Sequence, residues 1–185
     1  MWKAGELPAL RRLDLSRNEL SDIAYPGIVA CFPQLQELSL DRTPITDREF
    51  PFLVRLRNLR KLYLAHTSIT SAALKAIPDM HSRAAWGVEE LDLTGTDIDN
   101  EAITGGLSEL PRLQSLTLSG TKVDAKGLRT LAEMTQFGYF RQLSYLDVDE
   151  TQIDAETKKY VEDVIRKHNW DTNFQLRVVP RRKDQ

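Results

Sequence analysis

The sequence predicts an α/β solenoid, a single domain over residues 1–185 in which about six strand-and-helix units stack side by side. Three observations predict it. The pattern L-x-x-L-x-L-x-x-(N/T)-x-L occurs six times, led by Leu10, Leu35, Leu59, Val88, Leu113 and Leu143. The spacings between these leaders are 25, 24, 29, 25 and 30 residues, so register is kept from end to end. A helix-capping residue type then follows every copy at one fixed place.

The strand comes first in each unit. Its apolar residues alternate: Leu13 and Leu15, Leu38 and Leu40, Leu62 and Leu64, Leu91 and Leu93, Leu116 and Leu118, Leu146 and Val148. Period two puts one face of each strand in the core. A polar column follows, Asn18, Thr43, Thr67, Thr96, Thr121 and Thr151, and then an apolar one, Leu20, Ile45, Ile69, Ile98, Val123 and Ile153. The Thr column is expected to be structural, with hydroxyls bonding the backbone of neighbouring turns.

The helix comes next. Ser21, Thr46, Thr70, Asp99, Asp124 and Asp154 all carry side-chain oxygens that accept an orphan backbone N–H, and Thr46 with Glu49 reads as a capping box. Helical apolar spacing follows in Leu74/Ile77, Ile103/Leu107, Leu128/Leu131 and Tyr160/Val161/Val164. Stacking such units places parallel strands on a concave face and helices on a convex one.

The ends and irregularities have their own readings. Phe174, Leu176 and Val178 alternate before Pro180, predicting a capping strand over 173–179, and 180–185 reads as a solvated basic tail. Glu6-Leu7-Pro8-Ala9-Leu10 matches Glu109-Leu110-Pro111-Arg112-Leu113, which closes one helix and opens the next strand. That match raises the expectation of a longer chain, or of a partner packing on the N-terminal repeat. Two units carry insertions, 79–86 and 135–140, holding Met80, Trp86, Phe137, Tyr139 and Phe140. These aromatics either fill gaps in local packing or form a contact loop; both readings stay open.

Composition narrows the function classes. Hydrophobic residues are 41% and charged residues 28%, as in ordinary globular domains, and the 25 Lys plus Arg against 27 Asp plus Glu leave a net charge of -2. No general basic field exists to attract nucleic acid. A single cysteine, Cys31, and no Asn-x-Ser/Thr site point to an intracellular, cytoplasmic setting, with the nucleus also compatible. The N-terminus has no apolar signal core and no run is long enough to span a membrane.

Catalytic and metal motifs do not emerge, and no cofactor is expected. His66, His81 and His168 fall in different elements without ligand spacing, and Cys31 beside Phe32 reads as a small core residue. Ser119-Gly120-Thr121-Lys122 lacks the spacing of a phosphate loop. Asp97, Asp99 and Glu101 lack the glycine that a calcium loop needs at its sixth position, where Ala102 stands.

On these repeats, residues 7 to about 170 resemble the leucine-rich-repeat family, in its intracellular, helix-containing branch of ribonuclease-inhibitor-like and F-box-associated repeats. Thr replaces the usual Asn or Cys in five of six units. The resemblance implies a non-catalytic protein-binding module. It also implies two alternatives, a substrate-recognition segment of a ubiquitin ligase and a regulator of a GTPase or phosphatase.

Strand alternation gives the binding surface. The inward residues are Arg12, Asp14, Ser16; Glu37, Ser39, Asp41; Lys61, Tyr63, Ala65; Glu90, Asp92, Thr94; Ser115, Thr117, Ser119; and Tyr145, Asp147, Asp149. Two basic residues against seven acidic ones make this face acidic, with a net of -5. The candidate contacts are Asp14, Glu37, Asp41, Tyr63, Glu90, Asp92, Tyr145, Asp147 and Asp149, for a protein partner that presents a basic segment. The plainer alternative is that exposed strand positions simply need polar residues. The next column, Arg17, Arg42, His66, Gly95, Gly120 and Glu150, forms a basic edge toward the N-terminal repeats.

Overall fold

The computed structural model describes residues 9–81, 85–149, 153–168 and 173–179. Within these, seven strands form one parallel sheet in strict chain order. They are β1 (Arg12–Asp14), β2 (Glu37–Ser39), β3 (Lys61–Tyr63), β4 (Glu90–Asp92), β5 (Ser115–Thr117), β6 (Tyr145–Asp149) and β7 (Gln175–Val179). The last falls where the sequence predicts a strand over 173–179, and it pairs with β6 from Tyr145↔Gln175 to Asp149↔Val179. The basic tail lies outside the described residues.

Register follows the repeat without a slip. Leu13, Leu38, Leu62, Leu91, Leu116, Leu146 and Leu176 are opposite one another in succession. A slip of one residue would turn every leucine of a strand to solvent, so the apolar column itself holds the pairing. From Leu38 to Leu146 these leucines are essentially fully buried, whereas Leu13 in β1 is half-buried.

The opposite layer holds α1 (Ala24–Cys31), α2 (Phe50–Leu53), α3 (Ser71–Leu74), α4 (Glu101–Thr104), α5 (Ala125–Met134) and α6 (Ala155–His168). Strands pack about 4.8 Å apart and helices 8–10 Å apart, so stacking bends the sheet into the concave side. Three of the helices are single turns of four residues. Single turns have little stability alone and depend on the buried side chains beneath them, Phe50 and Leu53, Leu74, and Ile103.

The caps form as expected in the later repeats and shift in the earlier ones. Thr70 accepts from Ala72 N–H at 3.2 Å, Asp124 from Lys126 and Gly127 N–H at 2.9 and 3.1 Å, and Asp154 from Thr157 N–H at 2.6 Å. Of the Thr46/Glu49 capping box only the return half forms: Thr46 N–H donates to Glu49 Oε2, whereas Thr46 Oγ1 accepts from Arg48 N–H and Glu49 N–H goes to the Thr46 carbonyl, and α2 starts only at Phe50. Asp99 caps Glu101 N–H at 3.0 Å. Ser21 does not cap with its side chain, because α1 starts three residues on and only the Ser21 carbonyl accepts, from Ala24 N–H.

Asp124 yields a first prediction. Its carboxyl is held below the usual range by the Asn100 side chain, then by the Gly127 and Lys126 amides. Asp124→Ala is expected to cost about 1 kcal/mol near neutral pH. A depressed carboxylate stabilises fully above its unfolded value of about 3.9 and loses that contribution as pH falls through the lower folded value. The gap in Tm between wild type and variant therefore narrows below about pH 4, and a gap constant with pH would refute the cap assignment.

The Thr column is structural, but its bonds differ from expectation. Thr43, Thr67, Thr96 and Thr121 donate to Leu40, Leu64, Leu93 and Leu118 carbonyls, three residues back in the same turn, at 2.6–2.7 Å. Each hydroxyl thus closes its own turn instead of joining it to the next. Links between repeats run elsewhere: Asp47 accepts from Thr70 N–H and Oγ1, Ser71 bonds Asp99, and Asn100 bonds Asp124. Thr151 lies outside the described residues.

The insertions divide. Trp86 is fully buried, meets Phe50 edge-on at 5.9 Å between ring centroids, and donates its indole N–H to Leu56 O at 3.2 Å. Phe140 is buried and Tyr139 packs on the core, whereas Phe137 is 79% exposed. Residues 82–84 lie outside the described set.

Candidate functional site

The sheet presents its polar columns where alternation puts them, and each candidate contact has a definite place. Along the first column Arg12 pairs with Glu37 at 3.9 Å and Lys61 with Glu90 at 2.6 Å. These are cross-strand pairs of opposite sign, facing one another through the parallel register. Glu90 is fully engaged, since its other oxygen accepts from Tyr63 OH at 2.8 Å. Burial, then this hydrogen bond to Glu90, pushes the Tyr63 phenol well above its ordinary value. The same carboxylate raises Lys61.

The second column explains part of its own acidity. Asp14 accepts from Ser16 N–H at 2.9 Å and Asp92 from Thr94 N–H and Oγ1 at 2.8 and 2.6 Å. Each aspartate thus satisfies an amide just before the chain turns out of the strand. Asp41 instead reaches across to Ala65 N–H at 2.8 Å. Its carboxyl is raised chiefly by burial; Asp92 and Asp14 add to this, while the Ala65 amide and His66 pull the other way.

At the far end of the sheet the geometry differs from an open surface. Asp147 and Asp149 are each only 6% exposed. Asp147 accepts from Ser119 Oγ at 2.6 Å and Tyr145 OH at 3.1 Å and pairs with Arg177 at 3.4 Å. Asp149 accepts from Gly120 N–H at 3.0 Å. These carboxylates, with Tyr145, tie β5, β6 and β7 together. Arg177 was missed from the sequence, although alternation of Phe174, Leu176 and Val178 already places Gln175 and Arg177 on the polar face.

The open carboxylates therefore gather at the other end. Arg12, Asp14, Glu37, Ser39, Asp41 and Tyr63 line a shallow pocket of about 570 Å³ on β1–β3. Its chemistry is one aromatic wall and three carboxylates, with one guanidinium at the rim. Such a lining suits a cationic side chain with an apolar stem.

The column after the strands has a distinctive backbone. Arg17, Arg42, His66, Gly95 and Gly120 have φ of 60, 55, 56, 65 and 72°. The left-handed turn costs a non-glycine residue about 1 kcal/mol and glycine nothing. Arg17, Arg42 and His66 N–H still donate across to Asp41, Ala65 and Thr94 carbonyls, so the inter-repeat ladder continues through the turn. Gly95 lies against the His66 imidazole, where a Cβ would collide with the ring. Glu150, the sixth member, lies outside the described residues.

Among the described residues no group of three or more His, Cys, Asp or Glu is placed to hold a metal ion. None of their helices is long and apolar enough to cross a membrane. His66 and His81 are exposed and Cys31 is half-buried.

Known proteins share both the repeat and the fold. The Leucine Rich repeat family model matches residues 7–23. The chain is 32% identical over 99 residues to acidic leucine-rich nuclear phosphoprotein 32-related protein 2 of Caenorhabditis elegans, covering 52% of this chain and 42% of that protein. It is 29% identical over 155 residues to tubulin-specific chaperone E of Bos taurus, covering 81% and 28%. The chain thus spans less than half the length of either relative. Among solved structures, an internalin of Listeria monocytogenes superposes with a TM-score of 0.53 at 14% identity, over 97% of this chain and 49% of that one. The tropomodulin C-terminal domain of Caenorhabditis elegans superposes with a TM-score of 0.50 at 11% identity, over 87% and 85%. The repeat in the sequence, the in-register strands and these likenesses converge on one fold: an α/β solenoid of the leucine-rich-repeat type, with helices opposite its sheet.

Proposed function

We propose that this chain is a non-catalytic module that binds a protein partner on its concave sheet and takes a basic segment of that partner over β1–β4. The pocket walled by Tyr63 and by Asp14, Glu37 and Asp41 carries the reading. An aromatic face and an excess of carboxylates, three against the one guanidinium of Arg12, lower the cost of burying a lysine or arginine, and the acidic field steers such a segment in. A relative named as a tubulin-specific chaperone supports a protein-directed role. A polyanion such as nucleic acid meets the wrong sign here, and an intracellular, cytoplasmic setting fits a chain with one free cysteine.

The site also contracts relative to the sequence expectation. Asp14, Glu37, Asp41, Tyr63, Glu90 and Asp92 are assigned to contact, and Tyr145, Asp147 and Asp149 to bracing the sheet. The test is selection of a random peptide display library on the immobilised chain. Enriched peptides are expected to be rich in Lys and Arg, and to bind the Asp14→Asn/Glu37→Gln variant about tenfold more weakly. These neutral isosteres keep the Ser16 amide bonded, so Tm should hold. Enrichment without basic residues, or unchanged affinity in the variant, would sink the proposal.

A further inference from the structure

We infer that Arg17, Arg42 and His66 form a second contact row, for a short acidic segment of a protein partner. The inference goes beyond the cation pocket and shares no residue with it. It begins from an internal comparison that the repeat provides. Five described repeats place one residue in the same left-handed turn, and two of them use glycine, which adopts it without strain. The other three use arginine, arginine and histidine, adjacent to one another. The turn geometry does not ask for these side chains; it disfavours them. Strain of this kind, retained at neighbouring positions, points to a use for the side chain rather than the backbone.

The second observation is electrostatic. Eight described basic side chains, Arg12, Arg60, Lys61, Lys75, Lys122, Arg129, Arg166 and Arg177, have a carboxylate within ion-pair distance, while others, Arg11, Arg48 and Arg112 among them, have none. Arg17 and Arg42 are exposed and form neither an ion pair nor a side-chain hydrogen bond among the described residues. The His66 ring rests on Gly95, exposed beside them. Adjacent strands lie about 4.8 Å apart, so the three groups span roughly 10 Å along one edge of the sheet. The two arginine charges repel at this spacing, and no described carboxylate lies within ion-pair distance of either.

The width of the row sets the chemistry of the occupant. Asp41 precedes Arg42 in the chain and feels the His66 charge, and with Asp14 it lines the neighbouring pocket, so a broad polyanion that covers the row also meets carboxylates. A discrete run of acidic side chains fits, because it can lie along the row alone. Guanidinium groups grip carboxylates through paired N–H donors, which favours arginine over lysine in such a place. A partner segment with acidic residues beside basic ones would engage both rows and have its direction fixed by them.

The experiment uses the full chain and a fluorescein-labelled Ser-Glu-Ser-Glu-Ser-Glu-Ser peptide, read by fluorescence anisotropy at low salt. Its glutamine counterpart and a thymidine oligonucleotide serve as competitors for the same surface. The expected result is saturable binding of the glutamate peptide, weakened about tenfold in Arg17→Gly/Arg42→Gly. That variant should have Tm unchanged or slightly raised, because glycine relieves the turn. A structural role for the arginines predicts the reverse, a fall in Tm with binding intact. Should glycine loosen the turn, Arg17→Asn/Arg42→Asn, which also tolerates positive φ, reads the charge effect alone. No binding of the peptide to wild type, equal binding to either variant, or tighter binding of the oligonucleotide would each overturn the inference.

Discussion

Trp86→Ala is expected to destabilise the chain by about 3–5 kcal/mol and to lower Tm by roughly 10 °C or more. The indole is fully buried inside an insertion, yet it packs backward, on Phe50 of the preceding helix layer, and donates to Leu56 O. Truncation would leave a cavity between two repeats, remove an edge-to-face ring contact and take a donor from that carbonyl. Trp86→Phe should recover part of the loss, since it refills volume but not the hydrogen bond. Thermal melts followed by circular dichroism rank the three proteins. Equal Tm for wild type and the alanine variant would show that the insertion does not hold the repeats together.

Gly106→Ala is the second large effect, at about 3 kcal/mol. Gly106 has φ of -70° and ψ of -30°, which alanine adopts freely, so conformation is not the reason for glycine there. Contact is. A Cβ would collide with the Leu74 carbonyl oxygen and come within 2.7 Å of Leu74 Cβ, atoms of α3 that cannot rotate aside. The α3–α4 layers would have to part. Gly27 in α1 provides the contrast, because nothing lies within 4 Å of a Cβ added there. Gly27→Ala should stabilise by about 0.5–1 kcal/mol. A milder result at Gly106 than at Gly27 would mean that the helical layer is looser than its packing indicates.

Much of this architecture was legible because its determinants are local. Period-two leucines and a fixed capping position are read within a dozen residues, and the strands, their register and the caps at Thr70, Asp124 and Asp154 follow from them. The Thr hydroxyls were placed in the right column but given the wrong acceptor, since sequence shows which groups can bond and not which carbonyl the turn brings near. Asp147 and Asp149 belong to the acidic column by alternation. Their partners, Ser119 and Arg177 for Asp147 and Gly120 for Asp149, lie some thirty residues away in sequence. The left-handed column announced itself only at Gly95 and Gly120, where glycine signals positive φ; Arg17, Arg42 and His66 share that turn under side chains that conceal it. Trp86 was legible as an aromatic in an insertion, while its reach back to Phe50 was not.

The strict first-to-seventh order of the strands also decides how the molecule answers force. Each strand's partners in space are its neighbours in sequence, so tension applied at the two ends loads every interface in series. No interface is shielded by another. The chain should lengthen in steps, one unit at a time, each step freeing about 25 residues or roughly 80 Å of extended backbone. The weakest seam yields first, and the half-buried β1 edge marks it: a handle pulled there would peel the solenoid from its N-terminal side like tape from a roll.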